Sequence, residues 1–509
     1  MTVPEVTEPE RTAPEVRVLE VNGPADLDQA AIAAVAVGRR IHLTPALLER
    51  IGARRVEVLA ALQDGRAVYG VNTGMGAQSS IRLTADQQAR HERDLLPARA
   101  VGGPPWLPPE TARAVLAVRL RTFLLGDAGV SPELVTLLVR FLEADIHPAI
   151  PATGVGSAGE IIPLAHAFGP LLGVGSVLED ESSTAAAEVL RVNDITAIEL
   201  GAKEGVALLQ GVPGTTAQAL LLARRVIGLV ENTQLVVALG LVAAAAPQDV
   251  HHAGLARADP ELAQVNTVLR QHLLDSDAEP RSLQAPVSFR VAGAVLAHLT
   301  RAVHGLQGAV DRALDGITDS PAFLDGDFHA TPGFHGLDLA AHLDAVSVAL
   351  VHAAEVSAAR THRMLEARVT GLVAQLAADP EQRTGLIAVH KRAVGVVHQL
   401  RRTTSSSLVG SMETSFGQED VQTFSWEAAA NARTALEGCV EVLACELLTA
   451  SHAVEMSGRR IGAGLAAALA AVRTVVEPIR QDRSFGPDIE ALRHLLGASL
   501  LLRDRPSGV

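Results

Sequence analysis

Tyrosine is nearly absent from this chain. There is one among 509 residues, alongside two tryptophans and ten phenylalanines, so aromatics make up only 3%. Hydrophobic residues nonetheless reach 48%, and an interior built from Ala, Leu and Val favours long, closely approaching helices over a β-sandwich. Cysteine is equally scarce. Cys439 and Cys445 are the two present, too few for a disulfide framework or a paired-cysteine metal site, and both read as reduced, buried thiols. Basic runs are missing as well: 43 Lys plus Arg stand against 57 Asp plus Glu, a net charge of −14. That balance argues against nucleic acid as a partner. The longest apolar stretches, such as LVVALGLVAAAA at 235–246, fall short of the roughly 18 residues a membrane span needs and are expected to be buried in a bundle or between subunits. The opening MTVPEVTEPERTAPEV has no apolar core of a signal peptide. It reads as part of a disordered tail over residues 1–20 of a soluble, cytoplasmic protein. The 18 histidines show no ligand spacing, with His251, His252 and His362 all in helical sequence, so no metal is expected.

What is present is helix after helix. The pattern predicts a mainly α fold, divided into an N-terminal, loop-rich region at 21–205 and a central and C-terminal helical bundle at 206–509. Helices are expected at 27–39 and 45–63, the second with Thr44 as N-cap. Further breaks fall near 247–260, 274–287, 315–338, 378–383 and 403–423, and a pair of long apolar helices runs from Glu427 to Met456 and on to Leu502. Two stretches interrupt this pattern in the first half. YGVNTGMGAQSS, from Tyr69 to Ser80, holds three glycines and an asparagine, which permit backbone conformations closed to other residues. No lysine follows it and no strand clearly precedes it, so it resembles a phosphate-binding loop only superficially. HPAIPATGVGSAGEIIPLAH, from His147 to His166, is again dense in Gly and Pro. Loops of this kind between long helices are where a helical scaffold presents functional groups.

These motifs carry a resemblance. YGVNTGMG resembles the YGxNTGFG loop of the histidine and phenylalanine ammonia-lyases, and GVGSAGEIIPLAH resembles their GSVGASGDLAPLAH segment. In the same order, AKEGVALLQG from Ala202 resembles KEGLALxNG and LQAPVSFR from Leu283 resembles VQDPYSLR. TDSP at Thr318, FHG at Phe334 and GQED at Gly417 resemble TDNP, NFHG and GQED. The likeness covers nearly the whole chain after residue 20. It implies the ammonia-lyase long helical bundle, a homotetramer whose active sites combine loops from three subunits, and a small-molecule carboxylate substrate. It also implies roles: Tyr69 as the general base that removes the β-proton, Arg290 as the guanidinium fork on the substrate carboxylate, Gln284 and Phe334 as pocket residues, and Glu419 near the substrate amino group. A phenol has an ordinary pKa near 10, so a tyrosine base needs nearby donors or positive charge.

The departures are as informative. In the family an internal Ala-Ser-Gly cyclises with loss of two waters to the electrophile methylidene-imidazolone (MIO), whose methylene comes from the serine. Here those positions are Ser157, Ala158 and Gly159, and the central residue has no hydroxyl to lose, so MIO is expected to be absent and no other cofactor motif appears. A triad shifted to Gly156-Ser157-Ala158 keeps a central serine but puts alanine at the attacking nitrogen. Around the pocket, the family's ring-reading histidine is Arg99, its NG asparagine is Gln210, its PYS tyrosine is Val287, and a glutamine of a later helix is His390. An arginine at the distal end suggests a substrate with a second acidic or strongly polar group. Three functions stay open: a MIO-independent lyase or cyclase using Tyr69 for proton abstraction or conjugate addition, a conventional amino-acid ammonia-lyase or aminomutase, and a non-catalytic homologue that binds a small acid.

Overall fold

The computed structural model describes residues 18–179, 182–377, 381 and 384–497. The first 17 residues of the expected tail therefore lie outside the described residues, as does most of the break expected at 378–383. The chain forms two compact units.

The first unit takes the chain to Pro151, Ile161–Pro213 and Ile317–Pro332. It carries all the described strands: parallel β1 (Leu19–Val21) and β2 (Ile41–Leu43), an antiparallel sheet of β3 (His147–Pro148), β4 (Ser176–Glu179) and β5 (Ser182–Ala185), and the β6–β7 hairpin (Ala322–Leu324, Asp327–His329). Its helices are α1 (Gln29–Ala36), α2 (Pro45–Leu62), α3 (Ala85–Asp94), α4 (Pro109–Phe123), α5 (Pro132–Glu143), α6 (Ile161–Phe168), α7 (Ala186–Val192) and α8 (Glu204–Leu209). Thr44 does stand at the N-cap of α2, but its side chain makes no capping bond; Pro45 at the first position supplies the preset φ instead. Thr84 does cap α3, in a reciprocal box with Gln87.

The second unit has only helices among its named elements. It joins Ala152–Glu160, Gly214–Gly316 and the chain from Gly333 onward, and contains α9 (Pro213–Ala243), α10 (Pro260–Leu273), α11 (Val287–Arg290), α12 (Ala292–Asp315), α13 (Leu337–Met364), α14 (Ala367–Thr370), α15 (Ile387–Leu400), α16 (Ser425–Ser457), α17 (Ala463–Arg473) and α18 (Gly486–Gly497). The first helix of the expected C-terminal pair, from Glu427 to Met456, is α16, which ends where Gly458 takes φ 60°; the second is two shorter helices, broken between Arg473 and Gly486, and its expected end at Leu502 lies outside the described residues. At the heart of this unit α13 packs on α16. Both helices bury small side chains, among them Ala354, Ala444 and Ala450, and small residues let long helices approach closely. Within that contact Arg360 is paired with Glu446, at 2.5 Å from Nε to Oε1 and 2.8 Å from NH2 to Oε2, with the Ser357 hydroxyl donating to the same carboxylate.

One expectation about apolar length needs correction. Taken as continuous helical stretches, Glu204–Ala243 and Gly333–Met364 are long and apolar enough to cross a membrane by composition, and 83% and 61% of their most apolar windows are buried within the protein. Burial, rather than shortness, marks them as core helices.

Candidate active site

The structure distributes the eleven candidate residues over the two units, with Tyr69, Arg99 and Gln210 in the first and the remainder in the second.

In the first unit the Tyr69 loop is locked by its own polar side chains. Asn72 Oδ1 accepts from the Val68 N–H at 2.7 Å and from the Arg82 guanidinium at 3.0 Å, while its amide donates to the Arg66 carbonyl. Gly70 adopts φ 68°, a left-handed conformation natural to glycine, and the Thr73 hydroxyl accepts from its N–H. Val68 and Val71, flanking Tyr69, pack with Val206 of α8 into a small core. The half-buried Tyr69 phenol oxygen accepts the Gly76 N–H at 2.9 Å.

Arg99 lies nearby, with NH1 on the Leu95 carbonyl at 3.0 Å and NH2 3.9 Å from the Met75 sulfur. It lines a cleft of about 380 Å³ together with Met75, Gln78, Arg90, His91 and Asp94. Burial and the Arg99 charge hold His91 below the ordinary imidazole value, against its hydrogen bond to the Gly70 backbone. Gln210 is buried, and its carbonyl accepts the Arg119 guanidinium.

In the second unit the loop 152–160 is fixed at both ends. The Trp426 indole donates to the Ala152 carbonyl at 3.1 Å. At the other end the buried Glu160 carboxylate accepts the Gly214 and Thr215 N–H groups, at 2.7 and 2.6 Å, in the first turn of α9. A negative charge on these otherwise unpaired donors is the arrangement a helix start favours. Gly214 must be bare here: a Cβ would fall 2.3 Å from the Trp426 ring and 2.9 Å from Glu160 Oε2.

Between these anchors the structure brings together five candidates. The Ala158 N–H donates to Glu419 Oε2 at 3.3 Å, and the Ser157 hydroxyl donates to the Gly159 carbonyl at 2.8 Å. Phe334 lies over Gly159, where a Cβ would be 3.4 Å from the Phe334 carbonyl and 3.7 Å from its ring. Glu419 is further held by the Thr414 hydroxyl at 2.6 Å. Arg290 and Gln284 form a separate pair, NH1 to Oε1 at 3.3 Å, with Arg290 Nε buried and unpartnered among the described residues. Val287 beside them is 57% exposed. The His390 ring stacks on His362 at 4.4 Å, an outlet for both histidines other than a ligand. Among the described residues no group of His, Cys, Asp or Glu is arranged to hold a metal ion.

Sequence reasoning missed Glu160, which reads as an ordinary charge in EIIPLAH, although its place immediately after the triad was a signal. It also left Lys203 and Asp319 unassigned, although they sit in two of the motifs that carried the resemblance. Their side chains meet at 2.6 Å, both buried.

Long helices, a glycine-rich tyrosine loop and a glycine-rich turn set against a carboxylate define a class of helical lyases. The comparisons agree. A model of aromatic amino acid lyases matches residues 27–474. A histidine ammonia-lyase of Deinococcus radiodurans is 31% identical over 489 residues, covering 93% of this chain and 92% of its own. One from Symbiobacterium thermophilum is 30% identical over 474 residues, covering 90% and 92%. Among solved structures, a tyrosine aminomutase from Streptomyces globisporus superposes with TM-score 0.90 at 25% identity, covering 96% of this chain and 97% of its own. An ergothionase from Treponema denticola, an ergothioneine-degrading enzyme, gives TM-score 0.90 at 22% identity, covering 96% and 100%, and so speaks for the fold. The chain belongs to the aromatic amino acid lyase family and is a C–N lyase of the ammonia-lyase type.

Members of this family use MIO, made from their own residues. The residues at 157–159 do not fit that group: Ala158 presents a methyl where the methylene-donating hydroxyl is required, and its N–H is engaged by Glu419.

Proposed function

We propose that this family member is a MIO-independent lyase or cyclase acting on a small carboxylate by proton transfer. In the elimination direction Tyr69, as phenolate, takes the β-proton; the C–H electron pair becomes the Cα=Cβ bond, and the leaving group departs from Cα with its own electron pair. Arg290 holds the substrate carboxylate, Gln284, Phe334 and Val287 shape the pocket, and Glu419 serves the departing or arriving amine. Without an electrophile to activate the amine, the route calls for a better leaving group than ammonium, or runs in reverse as conjugate addition, including internal cyclisation. Arg99 and Arg90, facing one cleft, favour a substrate with a second acidic group.

The observation that carries this reading is selective: the chain retains its single tyrosine in the loop, with its oxygen on the Gly76 N–H, while position 158 has no hydroxyl. A homotetramer accords with it, since Leu283, Met412 and Phe416, at 94%, 67% and 101% exposure, are apolar side chains that a neighbouring subunit would cover; the compartment we propose is the cytoplasm. The test is β-hydrogen exchange or turnover on a panel of amino acids and unsaturated acids in D2O, followed by NMR. Exchange by the wild type and loss of about 10²-fold or more in Tyr69→Phe is expected; intact turnover in Tyr69→Phe would refute the proposal.

The second reading, a conventional amino-acid ammonia-lyase or aminomutase that matures through residues 156–159, draws on the identity to histidine ammonia-lyases. Release of urocanate from histidine or cinnamate from phenylalanine would establish it.

A further inference from the structure

Outside the residues assigned above, a dense set of buried titratable side chains in the first unit lies where α3 meets α8. Glu92, 5% exposed, places Oε1 2.9 Å from the Lys203 N–H nitrogen and Oε2 2.7 Å from that of Gly205. The missing side chain of Gly205 is required, because a Cβ there would stand 2.5 Å from Glu92 Oε2. From α2, Arg55 reaches Glu204 at 3.8 Å and donates to the Gly129 and Ala202 carbonyls. Glu204 is also held by the Ser131 and Gly201 N–H groups, and the Lys203 ammonium by Asp319. Asp127, half-buried, feels Asp319 and Lys203, and on the α3 side His91 faces Arg99. Arg55 and Lys203 thus stand against Glu92, Glu204 and Asp319, one negative charge in excess, and Glu92 is the carboxylate held by main-chain N–H groups alone.

The helix that Glu92 clamps is the one that supports Tyr69. Val206, one residue beyond Gly205, makes the core with Val68 and Val71, joined by Met75 and Ala202. Gly70 is packed so tightly that a Cβ would lie 3.1 Å from both Met75 and Val206. A shift in the first turn of α8 therefore reaches the backbone on both sides of the tyrosine.

We infer that Glu92 is a positioning residue for Tyr69: its ionised carboxylate clamps the first turn of α8 and, through Val206, sets the pose of the tyrosine loop. The inference rests on the reading of Tyr69 as the base. Burial pushes the Glu92 carboxyl up to about 7, with Glu204 adding to the effect and the two N–H donors and Arg55 opposing it. The sign follows from linkage. A carboxyl raised from 4.5 to about 7 holds its proton longer in the folded than in the unfolded protein, so its contribution to stability is complete below the unfolded value and is lost as pH rises through the folded one. The two-armed clamp, in contrast, needs the ionised form, because a protonated carboxyl keeps its carbonyl oxygen for one N–H while its other oxygen becomes a hydroxyl and a poorer acceptor for the second. Raising the pH through neutrality thus tightens the tyrosine loop and costs stability.

The chain's single tyrosine makes this directly readable, since tyrosine labelled with 13C at Cζ gives one signal. Between about pH 5.5 and 8.5, short of the ordinary phenol range, the wild-type Tyr69 signal should move with a midpoint near that of Glu92. The movement should vanish in Glu92→Gln and persist in His91→Asn. Glu92→Asp, too short to reach both N–H groups, should give a displaced signal at every pH, which keeps the test open if the glutamine variant fails to fold. A midpoint unchanged in Glu92→Gln, a transition lost in His91→Asn instead, no transition in the wild type, or a wild-type signal in Glu92→Asp would overturn the inference. The signal needs no turnover, so an active Tyr69→Phe enzyme would defeat the proposed chemistry while leaving this result readable on its own.

Discussion

The main-chain N–H of Ala158 and the hydroxyl of Thr414 converge on one oxygen of Glu419, Oε2, at 3.3 and 2.6 Å. No hydrogen bond among the described residues involves Oε1, so that oxygen is the one a ligand can use. In a cyclised MIO ring the corresponding nitrogen carries no hydrogen and could not donate. The Ala158 contact and a cyclised ring therefore exclude each other.

That arrangement separates structure from chemistry in Glu419→Gln. The amide oxygen can still accept from Thr414 and Ala158, so thermal stability should stay close to wild type, whereas loss of the charge should lower turnover by about 10²-fold. Calorimetry and steady-state kinetics on the same sample check the two halves. A large fall in melting temperature would mean that the charge serves the loop and not the reaction.

Glu160 is the structural counterpart. Glu160→Ala leaves the Gly214 and Thr215 N–H groups without their carboxylate in a buried place, and each buried, unsatisfied donor costs roughly 1–3 kcal/mol. Denaturant unfolding should show a loss of about 2–4 kcal/mol, with Glu160→Gln recovering part of it. A loss below about 0.5 kcal/mol, the ordinary range of surface substitutions, would contradict the account of how loop 152–160 is anchored.

Burial pushes the Cys439 and Cys445 thiols up to about 12. Since the thiolate is the reactive form, neither should react with a thiol reagent in the native protein at neutral or mildly alkaline pH, and both should react after denaturation. Rapid native labelling of either would show that α16 opens.

The sequence revealed the scaffold and the tyrosine loop because both are written locally: helical periodicity in long apolar stretches, and glycines clustered where the backbone must turn. The breaks expected near 247–260, 274–287, 315–338 and 403–423 all fall between helices of the second unit or at the strand hairpin. What stayed hidden was the placement of charge. Glu92 and Glu160 look like solvated carboxylates in sequence, and Lys203 and Asp319 are separated by more than a hundred residues. Only the fold reveals that the first two hold helix starts and the second two neutralise each other. The end of α16 was legible, expected at Met456 and found at Ser457; the helix after it was misjudged because the apolar-rich pattern reads on toward Leu502, whereas α17 ends at Arg473 and α18 begins only at Gly486.

The absence of the family electrophile is the central claim, and mass spectrometry of the peptide spanning residues 151–160, beside the intact mass, tests it most directly. The wild type should show the unmodified mass. The double variant Ser157→Ala with Ala158→Ser, which recreates Ala-Ser-Gly in the same anchored loop, should show loss of two waters in at least part of the sample. Loss of two waters in the wild-type peptide would contradict the account and return the protein to conventional amino-acid deamination.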